Sequence, residues 1–174
     1  MAVLNLPHPK RFADAIRGDP SQMLKSWYIA AFQLPGVAEA VLTADDGALL
    51  RRLYGSEPRP PYPREEIDRY VAAFTPESAE AAVNYYRAAV QFGGFGPKGA
   101  ILRPPWEPEP VYRPITEPTL VLWGTDDAYL NTSMAEPPAA LVPDCDVAYL
   151  AGASHWVMND AADAVSARLA SFFG

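Results

Sequence analysis

The chain opens on a short apolar run, Met1 to Leu6, stopped by Pro7-His8-Pro9. A run bounded in this way predicts a buried strand with an abrupt end. From Lys10 to Phe92 the spacing of apolar positions becomes helical. Asp19 before Pro20, and Thr75 before Pro76, each set a capping side chain ahead of a proline suited to a first turn. Thr43 with Asp46 predicts a further helix start, in the manner of a weak capping box. Four or five helices are expected over this block. In the helix after Pro76, residues Ala79, Ala82, Val83, Tyr86 and Val90 recur at three- and four-residue spacings, so they share one face. That spacing points Tyr86 inward and leaves Tyr85 to one side.

Two proline-rich stretches, Glu57 to Pro63 and Gly93 to Pro118, are expected to be loops, because proline lacks the donor that helices and ladders use. The texture then changes. Thr119 to Trp123 is an apolar strand run followed by Gly124-Thr-Asp-Asp127, and Asp146 to Leu150 is a second strand leading into Gly152-Ala-Ser-His-Trp156. A last helix is expected from about Asp160 to Phe173, with Val165, Leu169 and Phe172 on one stripe. Strand, helical block, strand, short helix, strand and helix make an α/β layout with a helical insertion. The boundaries follow: residues 1–9 as a core strand leading into the insertion, 10–118 as the helical block with its proline-rich return, and 119–174 as the remainder of the core. No internal repeat is present.

With 174 residues, 49% of them apolar and 20% charged, the chain has the balance of a folded globular protein. The net charge of -7, with no Lys/Arg cluster, argues against nucleic acid as a partner. Cys145 is the single cysteine, which excludes an intrachain disulfide and fits a reducing compartment with an inert, buried thiol. The first residues lack the basic start and apolar run of a signal peptide, and no apolar stretch approaches the roughly 18 residues of a membrane span. A cytoplasmic protein is expected. Neither a zinc-ligand spacing nor a phosphate-cradling glycine loop occurs, so no metal or organic cofactor is expected.

In open α/β sheets, functional residues gather in loops at the carboxyl ends of strands. Here Asp126 and Asp127 follow one strand and His155 follows the next. An acid and a histidine so placed can form an orienting pair, in which the carboxylate fixes the imidazole and the other ring nitrogen acts as base. The residues alone also allow plainer roles: an Asp in a Gly-containing loop often serves the turn, and a histidine beside Trp156 can be structural. Tyr28, between Trp27 and Phe32, can equally be packing.

The segment Leu120 to Leu130, LVLWGTDDAYL, resembles the strand and acid loop of α/β-hydrolases, where the acid stands three residues after the glycine, at Asp127, with Asp126 as a turn neighbour. Gly152 to Asp160, GASHWVMND, is similar to the histidine loop of that superfamily, with His155 in place. Ser26 to Gly36, SWYIAAFQLPG, and Asn84 to Arg87, NYYR, resemble the cap segments in which epoxide hydrolases carry paired tyrosines, which by position are Tyr28 and Tyr86. The resemblance runs over essentially the whole chain, including Asn5 to Pro9 as the passage into the cap, where it implies a structural His8. It implies a partial α/β-hydrolase fold: the C-terminal strands of a parallel sheet with a helical cap. It also implies a catalytic set of Asp127, His155, Tyr28 and Tyr86, with Trp27, Phe32 and Trp156 as pocket lining and Trp123 in support.

The chemistry accounts for that set. Opening an epoxide develops negative charge on the ring oxygen, and a phenol can donate a hydrogen bond and then a proton to it at neutral pH. In the family an aspartate attacks the ring carbon, and water activated by the histidine hydrolyses the resulting ester. The implied partner is a small apolar epoxide. Haloalkane dehalogenases and esterases share the acid and histidine loops, but dehalogenases hold the leaving halide with tryptophan or asparagine donors, so paired tyrosines favour the epoxide. A non-catalytic module that holds an apolar ligand is the alternative of a different class.

The nucleophile of this fold sits on a sharp strand-to-helix turn. No Gly-x-Ser-x-Gly or Gly-x-Asp-x-Gly stretch occurs in the sequence, and Asp45, Asp46 and Asp126 do not follow an apolar strand on such an elbow. The expectation is therefore a truncated half with little activity alone, marginal in stability because a core strand edge is left unpaired. The missing N-terminal half or a second copy would be the partner.

Overall fold

In the computed structural model, residues 1–91 and 111–174 are described, and they divide into two compact units. Most of the return stretch expected as loop from Gly93 to Pro118 lies outside the described residues. The first unit joins Met1–Lys25 to residues 111–174, and the second comprises residues 26–91. Residues 10–25, placed in the helical block by the hydropathy pattern, pack with the sheet.

The first unit is built on a parallel sheet of β1 (Ala2–Leu4), β2 (Thr119–Gly124) and β3 (Cys145–Leu150), in that order. All six residues of β2 are buried, as its unbroken apolar run requires of a central parallel strand. Register sets Leu4 against Leu122 and Gly124 against Leu150, so the three carboxyl ends lie side by side. On one face Leu120, Leu122 and Ala148 pack with Val157 of α7 (Val157–Asp160) and Val165 of α8 (Ala162–Phe173), joined by Leu169 and Phe172 from the stripe read in the sequence. On the other face Val121 and Trp123 pack with Leu130, Met134 and Ala135, and with Phe12 and Ala15 of α1 (Pro9–Gly18). His8 caps α1 by accepting a hydrogen bond at Nδ1 from the Lys10 amide, at 3.2 Å. Burial, with the Lys10 charge nearby, holds its pKa below the ordinary histidine value. Asp19 caps α2 (Pro20–Lys25), accepting from the Ser21 amide at 2.9 Å.

The second unit is helical: α3 (Trp27–Ala31), α4 (Val37–Ser56), α5 (Arg64–Ala73) and α6 (Pro76–Gln91). With α1 and α2, six helices precede residue 92, one or two more than expected. α4 is interrupted where Asp45, Asp46 and Gly47 take φ values of 50°, 55° and 68°. Thr43 does not cap a helix start. Its hydroxyl donates back to the Glu39 carbonyl at 2.8 Å, and the helix resumes only after the left-handed turn. Arg51 holds that turn, donating from Nε to the Asp46 carbonyl at 2.8 Å and pairing with the Asp46 and Asp68 carboxylates. On α6, Ala79 and Val83 are fully buried while Ala82 is exposed and Tyr86, expected to point inward, is 39% exposed, so the buried stripe is narrower than the spacing suggested.

Candidate active site

Because the strands are parallel, the residues after β1, β2 and β3 leave the same edge of the sheet. Asn5, the Gly124 to Asp127 turn and the Ala151 to His155 loop meet there. Their close approach depends on Gly124: a Cβ at that position would lie 2.3 Å from the Ser154 carbonyl oxygen and 2.4 Å from that of Ala153. The Asp126 amide donates to the Ala153 carbonyl at 3.0 Å, and the Gly152 amide to the Thr125 hydroxyl at 2.9 Å, closing the two loops on each other.

Asp127 is buried and its carboxylate is saturated with donors. Oδ1 accepts the Tyr129 and Leu130 amides at 2.7 and 2.9 Å. Oδ2 lies 2.8 Å from Asn5 Nδ2 and 2.8 Å from His155 Nδ1. Burial works against the charge, but the hydrogen bond and charge of His155, with the two amides, outweigh it and hold the carboxyl below its ordinary pKa. An acceptor so fixed makes Nδ1 of His155 the donor nitrogen and leaves Nε2 as the basic one. The imidazole is partly exposed, with 37% of its side-chain surface open, and it sits between Tyr129 and Trp156 with edge-on ring contacts at 5.4 and 5.6 Å. Ser154 and Asp160 brace its loop: the Ser154 amide donates to Asp160 at 2.6 Å, and the Trp156 amide to the Ser154 hydroxyl at 3.2 Å. Asp126, by contrast, is exposed at the surface of the turn.

Asn5 is the residue that the sequence pattern did not single out as functional. It is buried at φ 42°, donates to Asp127 and to the Ser154 carbonyl at 3.1 Å, and accepts the Gly124 amide at 2.7 Å. One amide side chain thus ties the ends of all three strands to the acid. The available signal was an asparagine directly after a strand run, a residue type enriched in the left-handed region.

Within the second unit, Tyr28 of α3 and Tyr86 of α6 are in edge-on contact, ring centroids 6.0 Å apart, with Phe32 against both at 5.5 and 4.9 Å. Partial burial pushes the Tyr86 phenol above its ordinary pKa. Tyr85 is almost fully exposed, and so is much of Trp27, at 83% and 68%. Among the described residues, no group of three His, Cys, Asp or Glu side chains could hold a metal ion, and no helix is long and apolar enough to cross a membrane.

A model of the alpha/beta hydrolase family matches residues 6–168. Among curated proteins, the chain is 29% identical over 180 residues to Epoxide hydrolase 4 of Homo sapiens, covering 99% of this chain and 46% of that protein. It is 31% identical over 162 residues to the AB hydrolase superfamily protein YfhM of Bacillus subtilis, covering 92% and 52%. The chain therefore spans about half the length of the curated relatives it matches. Among solved structures it superposes with a TM-score of 0.78 and 25% identity on one of the epoxide hydrolases from metagenomes of hot environments, covering 99% of this chain and 58% of that one. A mutant epoxide hydrolase from Bacillus megaterium in complex with its diol product shares the fold, at TM-score 0.76 and 21% identity over 98% of this chain and 59% of that one.

Proposed function

Because this chain belongs to the α/β-hydrolase family, we propose that it carries the water-activating pair and the oxygen-binding phenols of an epoxide hydrolase, within a helical cap and a sheet core. The observation that carries this reading is the 2.8 Å contact of His155 Nδ1 with an Asp127 carboxylate that burial does not neutralise. Nε2 of His155 takes a proton from water, and Asp127 stabilises the imidazolium that forms. The water then hydrolyses an aspartyl ester formed when the epoxide carbon was attacked. Tyr28 and Tyr86 donate to the ring oxygen as it gains charge. Phe32 packs against both tyrosines in the helical unit and Trp156 against His155 in the sheet unit, whereas Trp27, expected as pocket lining, is 68% exposed.

The attacking carboxylate is not supplied by these 174 residues, whose sequence has no Gly-x-Asp-x-Gly elbow. The proposed division of labour is that a second polypeptide segment, bearing that elbow, completes the reaction. The test is to incubate the purified chain with styrene oxide, alone and with the separately expressed part of YfhM that lies outside the region matched by this chain. Diol is expected only from the mixture, and not when His155→Ala or the Tyr28→Phe, Tyr86→Phe pair is used. Diol formation by the chain alone, lost in His155→Ala, would overturn the division of labour. Ester hydrolysis or halide release by the mixture with no diol would replace the epoxide by the esterase or dehalogenase alternative.

A further inference from the structure

Arg87 follows Tyr86 on α6, and all five of its guanidinium N–H groups are engaged. Nε donates to the Phe32 carbonyl at 2.9 Å and Nη2 to the Leu34 carbonyl at 3.1 Å. Nη1 donates to Glu39 Oε1 at 2.5 Å and to Asn84 Oδ1 at 3.1 Å, and Nη2 also reaches Glu39 Oε2 at 3.1 Å. The Arg87 and Glu39 side chains are only 14% and 15% exposed, so the pair is sheltered from water and salt. The two carbonyls belong to the end of α3 and the turn leading to α4, where the helix carrying Tyr28 has run out of partners. Glu39 stands in the first turn of α4.

We propose that Arg87, with Glu39 as its counter-ion, is the positioning residue for the paired tyrosines: its fork pins the carboxyl end of α3 to α6 and so sets the spacing of the Tyr28 and Tyr86 rings. The inference rests on the assignment of those tyrosines as the oxygen-binding groups. Without the clamp, α3 is a single short helix of five residues, too short to hold its own place. Lysine cannot substitute, since an ammonium has no planar fork and cannot reach two carbonyls and a bidentate carboxylate together. Two phenols that must converge on one oxygen tolerate little error, because a misplacement of about 1 Å can cost about a hundredfold in rate.

The experiment uses the 174-residue chain with 13C-labelled tyrosine rings, and an N,N-dialkyl amide as probe, its carbonyl standing in for the epoxide oxygen. In the wild-type chain a Tyr28 to Tyr86 ring cross-peak is expected, and the amide shifts both ring signals. In Arg87→Ala the cross-peak is lost and the amide binds about tenfold more weakly, a change of about 1.4 kcal/mol. Arg87→Lys, which keeps the charge beside Glu39 and guards against a fold that does not survive the alanine, gives the same loss with an unchanged far-UV spectrum. Arg51→Ala, which breaks the ion pairs of the α4 turn in the same unit, lowers stability and leaves the cross-peak. A cross-peak retained in folded Arg87→Lys, or lost equally in Arg51→Ala, overturns the positioning role. If the amide shifts neither tyrosine in the wild-type chain while the cross-peak still depends on Arg87, the clamp stands and the oxygen-binding role of the tyrosines falls.

Discussion

Asn5 Nδ2 and His155 Nδ1 approach the same oxygen of Asp127, each at 2.8 Å. A carboxylate oxygen has room for two good donors, so the asparagine occupies the site that would let Asp127 rotate away from the imidazole. The sheet end and the acid–histidine pair are therefore one hydrogen-bonded unit rather than a rigid scaffold bearing a loose loop.

Replacing Asn5 should separate bonding from backbone strain. Asn5→Gly loses the bonds to Asp127, Ser154 and Gly124 but accepts the φ of 42°. It should cost about 1–3 kcal/mol, the range for leaving buried partners unsatisfied. Asn5→Ala should cost about 1 kcal/mol more, because an alanine pays to enter the left-handed region. Urea denaturation of both variants checks the order; equal stabilities would mean that the backbone at this position relaxes freely.

Acid should weaken the site in a definite direction. The Asp127 carboxyl titrates below its unfolded value, so the stability it contributes is fully present above about pH 4, the unfolded carboxyl range, and is lost as pH falls through the folded value. Asp127→Asn should lower the urea midpoint at pH 7 and flatten its fall below pH 4. Asn5→Asp should do the reverse: two carboxylates on one contact raise the pair's pKa, so the variant is unstable at pH 7 and recovers part of the deficit on acidification. A midpoint for Asn5→Asp that falls with acid as steeply as wild type would contradict the contact.

The strand and loop frame of the site could be read directly from residues 119–127 and 146–156, because a central parallel strand is an unbroken apolar run and its end is marked by glycine and acids. The α4 turn could not. Thr43-Ala-Asp-Asp-Gly47 holds residue types that suit both a helix start and a left-handed break, and the choice was made by α5 packing Val71 over Gly47. Asn5 and Arg87 were missed for a shared reason. Apart from Asn84, three residues from Arg87, their partners lie 119 to 149 and 48 to 55 residues away, beyond any local pattern, whereas Tyr86 was proposed from the NYYR segment with its helix spacing in support.

Gly124→Ala should disrupt the site from beneath. The added Cβ meets backbone oxygens at 2.3 and 2.4 Å, which cannot swing aside as a side chain would. The β2 and β3 loops must part, at a cost of about 1–3 kcal/mol or more, and the Nδ1 proton of His155, held in the 2.8 Å bond, should exchange faster with water. Proton NMR of the imidazole in wild type and variant reads this; an unchanged downfield signal in Gly124→Ala would show that the loops can accommodate the methyl.

The α4 turn offers a test in the helical unit, far along the chain from the acid and histidine. A Cβ on Gly47 would stand 2.8 Å from Val71 Cγ1 and 3.3 Å from Cγ2, at a φ of +68°. Gly47→Ala therefore carries two penalties, a backbone cost of about 1–2 kcal/mol and a collision with the Val71 methyls. Val71→Ala alone removes part of a half-buried side chain and should cost about 1–2 kcal/mol, but it also removes the colliding atoms. The double variant should then be more stable than the sum of the two single changes predicts, by about 1 kcal/mol, a coupling typical of residues in contact. It should still fall below Val71→Ala, since the left-handed backbone remains costly for alanine. Strict additivity in urea denaturation would place the two residues out of contact, and a double variant equal to Val71→Ala would mean that the turn had left the left-handed region altogether.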